Sequence, residues 1–377
     1  MLEKVAIAGL GFTEFNSVSP GSSYRELTYE AAVKAYEEVG IEPKDVDSFV
    51  CTSEDFLEGY SISDEYCNDQ LGAVLKSGQT IPGDFIHSLS VGVMHILTGL
   101  FDIVVVQALS KASNMKTIPE MVNFAFDPVL TRPLDITSYF TAGLEMNRYL
   151  AEERATREQC AAVVVKNKAN ALINPVAAYG ADVTIEQVVD SEPIAEPVRL
   201  LDIAPYADGA VVLVLCSEKT AGSLTEKPVW IKGVGWSTDA PSLESRDWTE
   251  GIATRLAGDM AYKMAGIRNP VKEIQVIELH DAFIKQLQIT MAEMGFTELG
   301  RSDDLINEGL MTPGGPLLVN PSGGLTYGGH FVGGSNMFSC WSARRELIQR
   351  ELQRGLVHGT GSTIAQFGCV MIMERRS

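Results

Sequence analysis

The chain repeats itself. Val5-Ala6-Ile7-Ala8-Gly9-Leu10-Gly11 returns as Val229-Trp230-Ile231-Lys232-Gly233-Val234-Gly235, an offset of 224 residues. Ala35-Tyr36-Glu37-Glu38-Val39-Gly40-Ile41 returns as Ala261-Tyr262-Lys263-Met264-Ala265-Gly266-Ile267, an offset of 226. Each copy then runs into an apolar strand, Val46-Asp47-Ser48-Phe49-Val50 in the first and Ile274-Gln275-Val276-Ile277 in the second, 228 residues on. Three echoes in the same order at nearly one offset imply a duplicated unit.

Each unit reads strand, helix, strand. Tyr24 to Val39 carries apolar residues at helical spacing and stops at Gly40, and Ile252 to Ala265 does the same and stops at Gly266, both glycines being suited to the left-handed residue that ends a helix. Further strands are expected at Ile103–Gln107, Val211–Cys216 and Cys369–Met373. Short strands alternating with helices predict an α/β architecture. The first half, 1–225, is longer than the second, 226–377, by an insertion at about 115–195. A helix is expected there from Arg157 to Ala171, opened by the capping box Thr156-Arg157-Glu158-Gln159. An insertion between core strands can cover a substrate or be a plain surface excursion. No low-complexity linker parts the halves, so they are expected to pack as one body.

The formal charge is −19, from 30 Lys and Arg against 49 Asp and Glu, which argues against a duplex nucleic acid or an anionic membrane as partner. A small anionic ligand held by backbone N–H groups stays open. The six cysteines, at 51, 67, 160, 216, 340 and 369, form no C-x-x-C pair and read as buried free thiols. No segment approaches 18 consecutive apolar residues, and the N-terminus reads as a first strand, so a soluble cytoplasmic protein is expected.

Chemistry is expected at two of the five histidines. His280 follows the strand Val276-Ile277-Glu278-Leu279 in His280-Asp281-Ala282-Phe283, at a strand's carboxyl end, where open α/β sheets bind ligands. A helix is expected from about Ile284 to Glu293, which Asp281 could cap. His330 lies in the run from Asn320 to Gly334, with six glycines between 323 and 334, a density that permits close backbone approach. A third cluster, His358-Gly359-Thr360-Gly361-Ser362, could offer N–H groups to an oxyanion or phosphate. It lacks a P-loop ending, Gly9-x-Gly11 lacks a third glycine, and no G-x-S-x-G is present.

These motifs resemble those of the thiolases, specifically the sterol-carrier-protein type of bacteria and archaea. His280-Asp281-Ala282-Phe283 is similar to the family's HDxF motif, and Asn320 to Gly334 to its glycine-rich G-H-P loop. Pro197-Val198-Arg199-Leu200-Leu201-Asp202, with Pro205 and Asp208-Gly209-Ala210, resembles its P-x-R-x-x-D…P…DGA segment. Lys166 to Pro175 resembles the KNHxNA run of its loop domain. The resemblance implies the thiolase fold, two similar halves packed as αβαβα layers with a loop domain in the first half. It implies a homodimer, a small zinc-ribbon/OB-fold partner protein, coenzyme A as co-substrate and no permanently bound cofactor or metal.

In such thiolases a cysteine opening a buried helix takes the acyl group, in a C-A-S/T-G pattern. The matching stretch here is His87-Ser88-Leu89-Ser90-Val91-Gly92, and aligning on Gly92 puts Leu89 at the nucleophile's place. The family's second cysteine falls at Ala282 or about Val357, and Phe331 replaces the proline after His330. The implied reaction is thiolysis of a β-ketoacyl-CoA by direct attack of CoA. His280 and His330 would hold the enolate oxygen, His330 would be the base, and the N–H groups of Leu89 and Gly359 would hold the oxyanion. Leu89 would also suit an aromatic acyl group, as in thiolase subunits that cleave 2-benzoylsuccinyl-CoA in anaerobic aromatic breakdown. Ser88, Ser90, Asp281, Phe283, Gly329, Phe331 and Gly361 would line the substrate site, with Lys166 and Lys168 as candidates for the CoA phosphates. The alternative is a catalytically silent thiolase-fold subunit that binds acyl-CoA or scaffolds a complex.

Overall fold

The computed structural model describes residues 4–152, 155–248, 250–283, 290–298, 315–330, 334–361 and 364–375. Its main sheet has ten strands: β1 (Val5–Phe12), β2 (Ser48–Thr52), β3 (Ser77–Ile81), β4 (Ile103–Lys111), β5 (Asp208–Ser217), β6 (Val229–Thr238), β7 (Val276–Glu278), β8 (Leu318–Val319), β9 (Arg354–Gly361) and β10 (Phe367–Arg375). They lie in the order β8-β7-β9-β10-β6-β1-β5-β4-β2-β3. Outward from the β1–β6 seam, each half presents its first, fifth, fourth, second and third strand. The seam itself is antiparallel and short, Val5 opposite Ile231, Ala6 opposite Trp230 and Ile7 opposite Val229.

The echoed motifs have a steric cause. Helices α1 (Tyr24–Val39) and α5 (Ile252–Ala265) lie against the outer faces of β1 and β6. A Cβ added at Gly11 would stand 2.1 Å from the Ala31 carbonyl oxygen, and one at Gly235 2.1 Å from that of Ala257. Backbone cannot yield at that distance, so both halves carry glycine facing alanine where helix meets strand. Gly40 and Gly266 end these helices at φ 69° and 71°, the left-handed conformation that glycine adopts without strain.

Helices α2 (Phe85–Leu97) and α6 (Met337–Gln349) lie between the two half-sheets. Their apolar side chains share one core with the inward faces of both: Phe85, Ile86, Leu89, Met337 and Phe338 pack with Val104, Val106, Leu213, Val357 and Met371. α2 is buried on nearly every side over its first nine residues, as its almost wholly apolar composition requires. The layers therefore run helix, sheet, helices, sheet, helix.

Residues 115–195 carry α3 (Ser138–Ala151), α4 (Arg157–Leu172) and two shorter helices, Ile118–Asn123 and Ile185–Val189. The capping box at Thr156 and Gln159 is present. Of the helix expected at 284–293, residues 284–289 lie outside the described residues, and Phe331 does too. No helix among the described residues is long and apolar enough to cross a membrane.

Candidate active site

α4 builds one wall by anchoring the glycine-rich loop. Along one face it sends the Asn167 amide to Asp281 Oδ2 at 2.7 Å and the Asn170 amide to the Asn320 carbonyl at 2.9 Å, and just past its end the Asn174 amide reaches the Ser322 carbonyl at 2.9 Å. Lys166 Nζ joins them, donating to the Val319 carbonyl at 2.7 Å, and burial draws its ammonium down to about 8. Asp281 also accepts from the Leu325 N–H at 2.7 Å. Asp281 and Lys166 thus fasten the loop, Lys168 donates to the Tyr179 carbonyl at 3.3 Å, and none of the three lines the cavity described next.

That cavity, of about 270 Å³, opens at the carboxyl end of β7, where His280 and His330 both reach its wall. Their rings meet edge to face, with centroids 6.1 Å apart and planes at 86°. His330 is held by its backbone, its N–H donating to the Pro205 carbonyl at 2.8 Å and its carbonyl accepting from Ala207 at 3.0 Å. Burial pulls His330 down to about 4 and, with His330 and His358 beside it, pulls His280 well below the usual imidazole value. Both rings are therefore neutral at pH 7.

Their hydrogen bonds differ in kind. His280 Nδ1 is 3.0 Å from Asn336 Nδ2, and His330 Nδ1 is 3.0 Å from Ser335 Oγ. An amide nitrogen can only donate, so His280 Nδ1 accepts and its proton lies on Nε2. A hydroxyl donates or accepts, so His330 can cycle between base and acid with Ser335 following. In each ring Nε2 is the nitrogen left for a ligand.

The insertion supplies a share of the lining. Val122, Ala125, Tyr139, Thr141, Ala142 and Glu145 line the cavity with Phe283, Ile364 and Gly361. Sequence reasoning missed Tyr206, whose ring lies 5.3 Å from that of His330, and Tyr139, edge-on to Phe283 at 6.2 Å. It also missed Glu54, whose carboxyl burial raises, offset by the Gly83 N–H. Tyr206 follows Pro205 in the P…DGA segment, a signal that was available.

The structure places several expected site residues elsewhere. α2 starts at Phe85, capped by Asp84, so Leu89 lies in its second turn, fully buried and away from the cavity wall. Gly92, on which Leu89 was aligned, is a packing position: a Cβ there would meet Leu215 and Val106 at 2.9 Å. Ser88 and Ser90 are buried too, Ser90 Oγ donating to the Ile86 carbonyl at 2.8 Å. At the helix start the cavity meets Gly83 instead. Gly359 is inside β9, paired with Cys369 across the ladder, its Cα packed on the Asp84 carboxylate; Gly361, at the strand's end, reaches the cavity. Gly329, at φ 122°, precedes His330 and stays behind the wall. No cysteine among the described residues lines the cavity; all six are free and buried.

Comparison with known proteins agrees with this architecture. A family model described as thiolase C-terminal domain-like matches residues 235–375. The acetyl-CoA acetyltransferase of Methanothermobacter thermautotrophicus is 30% identical over 97% of this chain and 98% of its own. The benzoylsuccinyl-CoA thiolase subunit BbsB of Thauera aromatica is 32% identical over 51% of this chain and 50% of its own, so the expected likeness to that subunit holds for about half the length. Among solved structures, the Ltp2-ChsH2(DUF35) aldolase superposes with a TM-score of 0.84 at 25% identity, covering 99% of this chain and 98% of that one.

Proposed function

Because the chain belongs to the thiolase superfamily, we propose that it is an acyl-CoA C-acyltransferase that cleaves a β-ketoacyl-CoA with CoA, by direct thiol attack and with no acyl-enzyme. Residues 1–225 and 226–377 are read as its two halves. The observation that carries the proposal is a cavity with two neutral imidazoles, each offering Nε2, and no cysteine among its described lining residues.

The CoA thiol gives its proton to His330 Nε2. Its sulfur bonds to the β-ketone carbon, and the carbonyl electron pair moves onto oxygen. When that carbonyl re-forms, the Cα–Cβ bond breaks and its electron pair passes to the leaving acyl-CoA as an enolate. His280 Nε2–H donates to the enolate oxygen, and protonated His330 returns the proton to Cα. One such preorganised donor is worth about 3–4 kcal/mol, and a thiol needs no further activation than a base. The apolar wall of Leu57, Val122, Ala142, Phe283 and Ile364 supports a bulky, aromatic acyl group. A homodimer and a small zinc-ribbon/OB-fold partner remain part of the reading; the DUF35 component of the aldolase complex supports such a partner.

A second reading comes from that same aldolase likeness. His330 could take the proton of a β-hydroxyl group, the Cα–Cβ bond would break to a carbonyl product, and His280 would hold the same enolate. CoA dependence separates the two. The protein, together with its small zinc-ribbon/OB-fold partner, is incubated with an aromatic β-ketoacyl-CoA, with and without free CoA, and products are followed by mass; the β-hydroxyacyl-CoA is run in parallel. Cleavage of the ketone that requires CoA supports the thiolase reading. Cleavage of the alcohol without CoA supports the aldolase, and no cleavage of either rejects both.

A further inference from the structure

We propose that Asp84 and Asn336 are positioning residues that lock His280 as the Nε2–H tautomer. Asp84 caps α2 and Asn336 stands at the same position before α6, without a capping bond of its own, so they are the corresponding residues of the two central helices, 252 positions apart. They meet: Asn336 Nδ2 donates to Asp84 Oδ2 at 2.6 Å while the same nitrogen faces His280 Nδ1 at 3.0 Å. The Ser339 hydroxyl, 3.2 Å away, donates to Asn336 Oδ1 and fixes the amide's other end. Asp84 Oδ1 in turn accepts from the Ile86 N–H at 2.8 Å and from the Cys369 thiol at 3.5 Å. With Asp84 ionised, each link from its carboxylate to the ring thus has one allowed direction. The carboxylate only accepts, so the amide presents nitrogen to it; the amide nitrogen only donates, so His280 Nδ1 carries no proton.

Neither residue lines the cavity, so both act through the ring. Asn336 holds φ 67° to do so, a left-handed conformation that non-glycine residues adopt at some cost, asparagine least. The inference rests on the reading in which His280 donates to an enolate, but its test reads the ring without any substrate.

The experiment is nitrogen NMR of the full-length protein labelled with 15N-histidine, recorded on the alkaline side of neutrality where Asp84 is ionised. The His280 signals are identified by their loss in His280→Gln. Two variants probe the lock from opposite ends. Asp84→Asn keeps the helix cap, since asparagine caps as well as aspartate, but turns an amide nitrogen towards Asn336. The Asn336 amide must then flip, show oxygen to the ring and draw the proton to Nδ1. Asn336→Gly suits the backbone conformation and deletes the donor, leaving a mixture of tautomers. The expected result is Nε2–H in the unmodified protein, Nδ1–H in Asp84→Asn and a mixture in Asn336→Gly. An Nδ1–H ring in the unmodified protein, or Nε2–H unchanged in both folded variants, overturns the proposal. Where the cleavage assay is active, both variants should lose at least about 10-fold in kcat with KM little changed. If the unmodified protein cleaves nothing, the proposed reaction fails while the tautomer result stands on its own.

Discussion

The edge of one imidazole faces the plane of the other where His280 meets His330, 6.1 Å between ring centres. They are not interchangeable. His280 is tied to a one-way amide, His330 to a two-way hydroxyl, so the second can move a proton and the first can only lend one. His330→Ala should therefore lower kcat/KM by at least about 10²-fold, the usual contribution of a positioned acid/base group. His330→Ala retaining more than a tenth of the rate, in steady-state kinetics, would remove it as the base.

Alkylation distinguishes this site from one that works through a thiolate. Cys340 and Cys369 are fully buried, and burial with the Asp84 charge pushes both thiols well above their usual range. Burial raises Cys67 and Cys216 to about 12. Iodoacetamide acts on thiolates, so treatment of the folded protein near neutral pH should leave the cleavage rate within about 20%, with intact mass showing no adduct. Stoichiometric labelling that abolishes turnover would point to a cysteine after all.

Asp84 links the site to stability. Burial lifts its carboxyl from 3.8 to about 7, partly offset by the Ile86, Asn336 and Cys369 donors. Between those values the folded chain holds a proton that the unfolded chain releases, so this group's contribution weakens as pH rises through about 4 to 7. Asp84→Asn removes that dependence. Chemical unfolding of the two proteins from about pH 5 to 8 should show the variant gaining on the unmodified protein by on the order of 2–3 kcal/mol across that range. The difference between the two curves isolates Asp84 from Glu278, which moves the same way, and from His330 and His358, which move oppositely. A difference that does not change with pH would show that Asp84 ionises normally.

Ala142 tests the acyl wall. It is buried on α3 and lines the cavity beside Tyr139 and Glu145. Ala142→Leu adds bulk there and leaves both imidazoles in the sequence. Cleavage of an aromatic β-ketoacyl-CoA should fall at least about 10-fold relative to an acetoacetyl one, since overfilling a packed site typically costs about 1–3 kcal/mol. An equal loss for both substrates would place the acyl group elsewhere.

The duplication was legible because its cause is local: glycine on a strand facing alanine on the next helix, written twice. His280 and His330 were legible through their motifs, which α4 and the turn after it hold in place by the Asn167, Asn170 and Asn174 amides. The start of α2 was not. A glycine that opens a helix and one that packs against a sheet look alike in a row of letters. Gly92 is of the second kind, so aligning on it carried the nucleophile's place to Leu89, a full turn past the Asp84 cap and into the core. Lys166 and Lys168 read as candidates for the CoA phosphates because the carbonyls they bond are set by the fold and leave no mark beside them in the sequence. The contact between Asp84 and Asn336 spans 252 residues and leaves no pattern in either neighbourhood.

The two imidazoles belong to the second repeat, whereas the lining from Val122 to Glu145 belongs to an excursion grown from the first. Under the proposed reaction, diet and chemistry are written on separate stretches of the gene. A lineage could then retailor what it consumes by revising the excursion, leaving both rings untouched.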